Sequence, residues 1–315
     1  MMPESDPIKE FAHKVIPHTI FTKIQNLLDD CRVNSKRTDE PLCALIEGDT
    51  RVGKTIAMQT YCANLPPEVL SEHTRIPVFY TRIPESATPM SLVGKILRSL
   101  NDPYPDTGSK TVKTSRLERL LKGCETQLII LDEFQHFIDG KRHRTMEKTA
   151  DWLKVLIDET KIPIVLVGMP GSSIILDLHP QLNSRFFTRM EFPPFPWKTT
   201  LDKKAFRSLL KEMADALPYP NKPILSEEEL AYRFHRATGG KIGHVKKLIV
   251  RAMLIMENQK TNALTVEHFQ QAYAEKYGNG ENPFLMKTAM LKSFKLPVLE
   301  DEEQIKIKIT KAKPS

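Results

Sequence analysis

The chain has 315 residues, of which 40% are hydrophobic and 27% charged, and carries a formal net charge of +7 at neutral pH. This length accommodates one sizeable core and a smaller second domain. No stretch is apolar enough for a bilayer span, and Met1–Glu10 is too polar for a secretory leader, which points to the cytoplasm and away from a membrane partner. The cysteines Cys31, Cys43, Cys62 and Cys124 show neither CxxC pairing nor zinc-like spacing and read as reduced thiols. The basic balance suits a polyanionic partner.

The first periodic segment, Ile20–Leu28, predicts a helix that packs on the domain after it, so residues 1–40 are read as an N-terminal segment. Strand-like apolar runs follow at Leu42–Ile46, Val78–Ile83, Leu128–Leu131, Ile164–Val167 and Met190–Phe192. Helical patterns at Thr55–Ala63, Pro89–Leu100 and Ala150–Glu159 separate them. Short, nearly continuous apolar strands alternating with helices predict a parallel sheet covered on both faces, here residues 41–198. Trp152, Leu153, Leu156 and Ile157 make a core-facing stripe.

The proline cluster Pro193-Pro194-Phe195-Pro196 marks a boundary, and residues 199–277 read as helical throughout. Ser226 with Glu229 has the spacing of a capping box, Gly239-Gly240 ends that helix, and Ile242–Glu257 and Thr265–Tyr277 supply two more. Trp197 is placed to pin this lid to the core. Residues 278–315 are Lys-rich, with an acidic patch at Glu300–Glu303, and lack periodicity. They are expected to form a flexible tail that docks a partner.

The chemistry starts where the first strand ends. Gly48-Asp49-Thr50-Arg51-Val52-Gly53-Lys54-Thr55, followed by Ile56, fits G-x-x-x-x-G-K-[ST]. In such a loop, backbone N–H groups turn inward around a phosphate, and the following helix adds its N-terminal dipole. Lys54 would place its charge on the β- and γ-phosphates of ATP, and Thr55 would offer its hydroxyl to Mg²⁺. Leu128–Leu131 then runs into Asp132 and Glu133. Asp132 is the second Mg²⁺ residue, and Glu133 is the carboxylate that orients the attacking water.

Asp132-Glu133-Phe134-Gln135-His136-Phe137 after this loop resembles the AAA+ ATPases called TniB or TnsC in bacterial transposons. Val167-Gly168-Met169-Pro170-Gly171, Asn183-Ser184-Arg185-Phe186 and Gly239-Gly240-Lys241-Ile242-Gly243 look like the same family, over roughly Pro17–Tyr277. The resemblance implies an α/β AAA+ P-loop NTPase core followed by a small all-helical lid. It also implies an ATP-loaded homo-oligomer, a ring or a helical filament on duplex DNA, that links target selection to a transposase. The selector would be a TniQ-like protein, with or without a CRISPR effector. ATP would lie between subunits, with Arg185 matching the arginine finger and Arg189 the second choice. Val15–His18 would flank adenine, and His136 reads as a hydrogen-bonded structural histidine ahead of a γ-phosphate sensor.

Two positions depart from the family. The fourth core strand ends in Gly168-Met169-Pro170 where a polar sensor is usual, leaving Ser172 or Ser173 as substitutes. The lid reads Lys241-Ile242-Gly243-His244 where an arginine commonly meets the γ-phosphate, so Lys241, His244 or neither fills that role. Both departures favour slow hydrolysis stimulated by a partner. Two basic segments without aromatics, Lys110–Arg116 (with Lys110 and Lys113) and Lys141-Arg142-His143-Arg144 with Lys148, suit phosphate contacts on DNA.

The competing readings are a replication-initiator or helicase-loader-like AAA+ ATPase and a signalling P-loop ATPase without a DNA role. Little chain follows the lid to build a winged helix, which favours the transposition reading over the initiator.

Overall fold

The computed structural model describes residues 6–138, 143–278 and 280–297; of His143 and Arg144 only the backbone is described. In chain order the elements are α1 (Pro7–His13), α2 (Thr19–Asp29), β1 (Ala44–Glu47), α3 (Lys54–Ala63), β2 (Glu68–Val69), β3 (Thr74–Arg75), β4 (Val78–Arg82), α4 (Pro89–Ser99) and α5 (Lys110–Gly123). They continue with β5 (Leu128–Asp132), α6 (His143–Thr160), β6 (Ile164–Gly168), α7 (Ile174–Asp177), α8 (Pro180–Asn183), β7 (Thr188–Glu191), α9 (Thr200–Asp215), α10 (Glu228–Thr238), α11 (Ile242–Asn258) and α12 (Val266–Tyr277). The chain divides into two compact units. Among the described residues, one holds those of 19–49 and 54–192, and the other holds residues 6–18, 50–53 and those of 193–297.

The first unit is a five-stranded sheet in the order β4-β5-β6-β1-β7, every pairing parallel. β5 and β6 are buried along their whole length, as aliphatic runs covered on both faces must be. Leu92, Val93, Ile96 and Leu97 turn one face of α4 onto the sheet, and the expected stripe Trp152, Leu153, Leu156 and Ile157 does the same for α6. Each such side chain contributes about 1.5–3 kcal/mol by leaving water. All five expected strands and the three expected helices of this unit form. The parallel register brings the carboxyl ends of β1, β5 and β6 to one edge, with Glu47 opposite Gly168 and Leu131 opposite Leu166. Helix α5 and the short β2–β3 hairpin were not anticipated. Few apolar positions mark α5, which buries only Thr114, Leu117 and Leu121.

The second unit is a helical bundle around Phe206, Leu210, Met213, Phe234, Ile249, Met253 and Phe269, all at most 1% exposed. Four expectations change here. The cap of α10 is Glu227, whose carboxylate accepts the Glu229 and Leu230 amides, rather than Ser226. Trp197, expected to pin the lid to the core, stacks on Tyr232 within this unit, with ring centroids 5.4 Å apart. The opening segment is split: α2 belongs to the sheet unit as expected, but α1 sends Ile8 and Phe11 into the helical core. The tail is the fourth. Residues 280–297 are packed, with Phe284, Leu291 and Phe294 no more than 4% exposed and Arg233 donating to the Pro283 and Met286 carbonyls. Three widely spaced aromatic and aliphatic anchors leave no helical period to read, which hid this segment. Residues 298–315, including Glu300–Glu303, lie outside the described residues.

Candidate functional site

The carboxyl edge of the sheet is where the apolar strands become polar. Gly48 leaves β1 with its N–H on the Gly168 carbonyl at 3.1 Å, tying the loop to the tip of β6. At the start of α3, Lys54 is 9% exposed and donates to the carbonyls of Gly48 (2.6 Å) and Asp49 (2.8 Å). Its cation is held at the loop by the loop's own backbone. The next residue, Thr55, donates its hydroxyl to Asp132 Oδ2 at 2.8 Å. Asp132 is 1% exposed, and Oδ2 also accepts the Tyr80 hydroxyl at 2.9 Å. Arg82 Nε lies 3.1 Å from that hydroxyl and 3.9 Å from the carboxylate. Burial, with the negative Asp132 beside it, moves Tyr80 well above the ordinary phenol range.

Glu133 takes a left-handed backbone, φ +62°, which turns it away from the strand direction and lets its N–H reach Asp132 Oδ1 at 2.9 Å. Gln135 donates to Glu133 Oε2 at 2.5 Å. Glu47, below the loop, accepts the Ser173 amide at 3.0 Å; burial raises its carboxyl despite the nearby amides of Ser172 and Gly171.

Residues 50–53 group with the helical unit. Arg51 is exposed, at φ +65°, and its carbonyl accepts the Gly243 amide at 2.8 Å. Gly243 has to be glycine there, because a Cβ would fall 2.8 Å from that carbonyl oxygen. Val52 is buried, Thr50 and Gly53 are half-buried, and Ile56 is half exposed on the solvent side of α3. Lys241 caps α11. His244 is buried one turn in; desolvation, then the cations Lys276, Lys241, Arg51 and Lys247, lower its pKa to about 3.

The structure thus brings Lys54, Thr55, Asp132 and Glu133 together in one unit and Arg51, Lys241 and His244 together in the other. The arginines are elsewhere in the sheet unit. Arg185 spends its guanidinium on Asp158 (2.7 Å) and the Gln181 carbonyl (2.5 Å) and is 16% exposed. Arg189 is 38% exposed and bonds Asp177 at 2.9 Å and Asn183 at 2.6 Å. Between them Phe187 stands 95% exposed. Of the basic segments, Lys110 and Lys113 begin α5 while Arg116 turns inward onto Asp102 at 3.3 Å. Lys148 is exposed on α6. Lys141, Arg142 and the Arg144 side chain lie outside the described residues.

The sequence reading passed over Tyr80, Arg82 and the amide of Gln135. Polar residues at the end of an otherwise apolar strand were the available signal for the first two. The residues fit Mg²⁺ by chemistry: one carboxylate and one hydroxyl oxygen, 2.8 Å apart, as expected for an ion that takes its other oxygens from phosphate and water. Among the described residues there is no cluster of three or more His, Cys, Asp or Glu for a dedicated metal cage, and no helix is long and apolar enough to cross a membrane.

Comparison with solved structures gives the same architecture. Cdc6p of Pyrobaculum aerophilum matches with a TM-score of 0.64 and 17% identity, over 88% of this chain and 73% of that one. The Aeropyrum pernix ORC1 protein, solved in complex with DNA, matches at 0.58 and 19%, over 87% and 68%. The A. pernix ORC2 protein, solved as ADPNP-ADP complexes, matches at 0.60 and 14%, over 83% and 70%. At these identities the likeness is one of fold. No curated protein matches in sequence. The family model described as bacterial TniB protein matches residues 10–198, more than half the chain, so this chain belongs to the TniB family.

Proposed function

We propose that the protein is an ATP-dependent regulator of DNA transposition, which assembles as an oligomer on duplex target DNA and hydrolyses ATP to ADP as a timing or disassembly switch. The observation that carries the reading is the convergence of Lys54, Thr55, Asp132 and Glu133 at one edge of the sheet, within a TniB-family chain. Phosphoryl transfer asks a protein mainly to position groups and neutralise charge. Lys54 is the cation for the β- and γ-phosphates, the loop amides of residues 48–55 line the phosphates, and Thr55 and Asp132 would hold Mg²⁺. When bound, the ion would supply charge neutralisation to the phosphates. Glu133 orients and polarises the water.

A second copy is proposed to complete the site with an arginine. Arg185 remains the first candidate and must leave Asp158 to serve. Arg189, more exposed and beside the bare Phe187, is the alternative, and a ring standing 95% exposed supports a subunit contact there. Lys110 and Lys113 are proposed DNA contacts. They sit at the positive end of α5, where neither the helix dipole nor each other stabilises them and a phosphate would. The partners proposed are a transposase and a TniQ-like target selector. The fold likeness to Cdc6p and ORC1 keeps an initiator-like ATPase as the second reading.

Electron microscopy of the full chain with a non-hydrolysable ATP analogue and duplex DNA decides between them. DNA-coating helices are expected. A closed ring seated on a helicase would favour the initiator reading, and no assembly together with no affinity for ATP and Mg²⁺ would remove both. Replacing Lys110, Lys113 and Lys148 together with alanine should weaken binding on all duplexes alike and flatten the salt slope by up to about three units.

A further inference from the structure

The amide of Gln135 has no part in the nucleotide chemistry above, yet it joins two of its elements. Gln135 is 6% exposed. Its Oε1 accepts the Met169 N–H at 3.1 Å, just beyond β6, and its Nε2 donates to Glu133 Oε2 at 2.5 Å, just beyond β5. A primary amide has an acceptor end and a donor end, and here each end is spent on a different strand tip. The acceptor of that bond is a carboxylate, which makes it charge-assisted when Glu133 is ionised.

The surroundings hold the bridge in place. Gln135 rides on a tight turn, Phe134–Phe137, whose two phenyl rings are buried and meet edge to face at 5.8 Å. The Ile138 amide closes that turn on the Gln135 carbonyl at 2.7 Å. On the β6 side Gly168 leaves room for Ser172. A Cβ at Gly168 would lie 3.4 Å from Gln135 Oε1 and would collide with the Ser172 hydroxyl, which is buried and donates to the Met169 carbonyl at 2.6 Å.

We propose that Gln135 is a positioning residue for Glu133: it fixes the carboxylate that orients the attacking water and references it to the tip of β6, beside the carbonyl of Gly168 that anchors the phosphate loop. The inference rests on the functional reading above. A glutamine placed only to fill space would leave its amide to any nearby backbone group, whereas this one gives its donor to the single carboxylate whose direction decides the chemistry. Water orientation tolerates little error, since catalytic groups must be held to about half an ångström. Asparagine, one methylene shorter, cannot span both partners. Glutamate can keep the Met169 bond but sets a like charge against Glu133.

The test uses full-length protein with ATP and Mg²⁺, in steady state and single turnover. Gln135→Ala should lower kcat at least about tenfold, by analogy with the outer-shell partners that orient metal ligands, with KM and ATP affinity close to the parent's. Gln135→Glu, matched in shape, should lose at least as much. In a Glu133→Gln background, Gln135→Ala should have no further effect, because its role is exercised through that carboxylate. An unchanged or raised kcat, parallel losses of kcat and ATP affinity, or losses that add in the double variant would each overturn the proposal. Turnover at the parent rate by Glu133→Gln alone would instead overturn the functional reading beneath it.

Discussion

The two units hold their buried charged and imidazole side chains in different settings. In the sheet unit β5 is apolar until its final residue, and Thr55, Tyr80, Asp132, Glu133 and Gln135 bond one another at the strand's carboxyl end. In the helical unit imidazoles lie among packed side chains. His235 sits among Trp197 and Phe206 and bonds the Phe195 carbonyl at 2.9 Å, and His244 is buried beneath four cations. An edge cluster on a stiff sheet can hold a charge and change what it holds without disturbing the core. A buried imidazole is tied to the packing around it, so its titration reports on stability.

The largest effect should therefore come from the edge and cost nothing in folding. Glu133→Gln is expected to lower turnover by about 10²–10³, as removal of a water-activating carboxylate does, with ATP affinity and thermal midpoint near the parent's. Lys54→Ala should lose ATP binding itself. Fluorescent-nucleotide titration beside a phosphate-release assay separates the two.

Core truncations should behave in the reverse way. Phe234→Ala in the helical unit should cost about 3–5 kcal/mol and Leu131→Ala in the sheet about 2–5 kcal/mol, read from urea unfolding. Hydrogen exchange should show each loss concentrated in its own unit. Equal loosening of both units by either variant would mean that the two unfold as one.

Gly243→Ala tests the approach of the loop carbonyl to α11. The new Cβ must displace Arg51, at about 1–3 kcal/mol if the strain stays in the fold. Because residues 50–53 are loop backbone, about a tenfold rise in the Kd for ATP is expected instead, with little change in midpoint.

The buried histidines give a pH test with a definite sign. His18 is lowered to about 4 by burial and His244 to about 3. The unfolded chain takes these protons near pH 6.5 and the native chain does not, so stability is full above pH 6.5 and falls as pH drops toward 4. Urea midpoints between pH 7 and 5 should show this slope, and His244→Gln should flatten it. The smallest effect is at the α10 cap: Glu227→Ala should cost about 0.5–2 kcal/mol, whereas Ser226→Ala should stay within about 0.5 kcal/mol.

The glycine-lysine-threonine loop after β1 and the strand that runs into Asp132 and Glu133 were legible because their signatures are local. A glycine-lysine-threonine run after an apolar strand, and two carboxylates after another, can be read within ten residues of chain. Short apolar runs likewise marked the five strands, and helical apolar periodicity most helices. What the sequence could not fix was every feature made by residues far apart in the chain. The Gln135 bridge to Met169 and the Tyr80 hydroxyl on Asp132 depend on which strands lie side by side. The packing of Phe284 and Phe294, and the partition of α1 and residues 50–53 into the helical unit, depend on which surface each segment finds. Hydrophobic period and loop chemistry are properties of neighbouring residues and are written in order along the chain. Register and long-range pairing are set by the free energy of the whole packed molecule, so only the tertiary structure decides them.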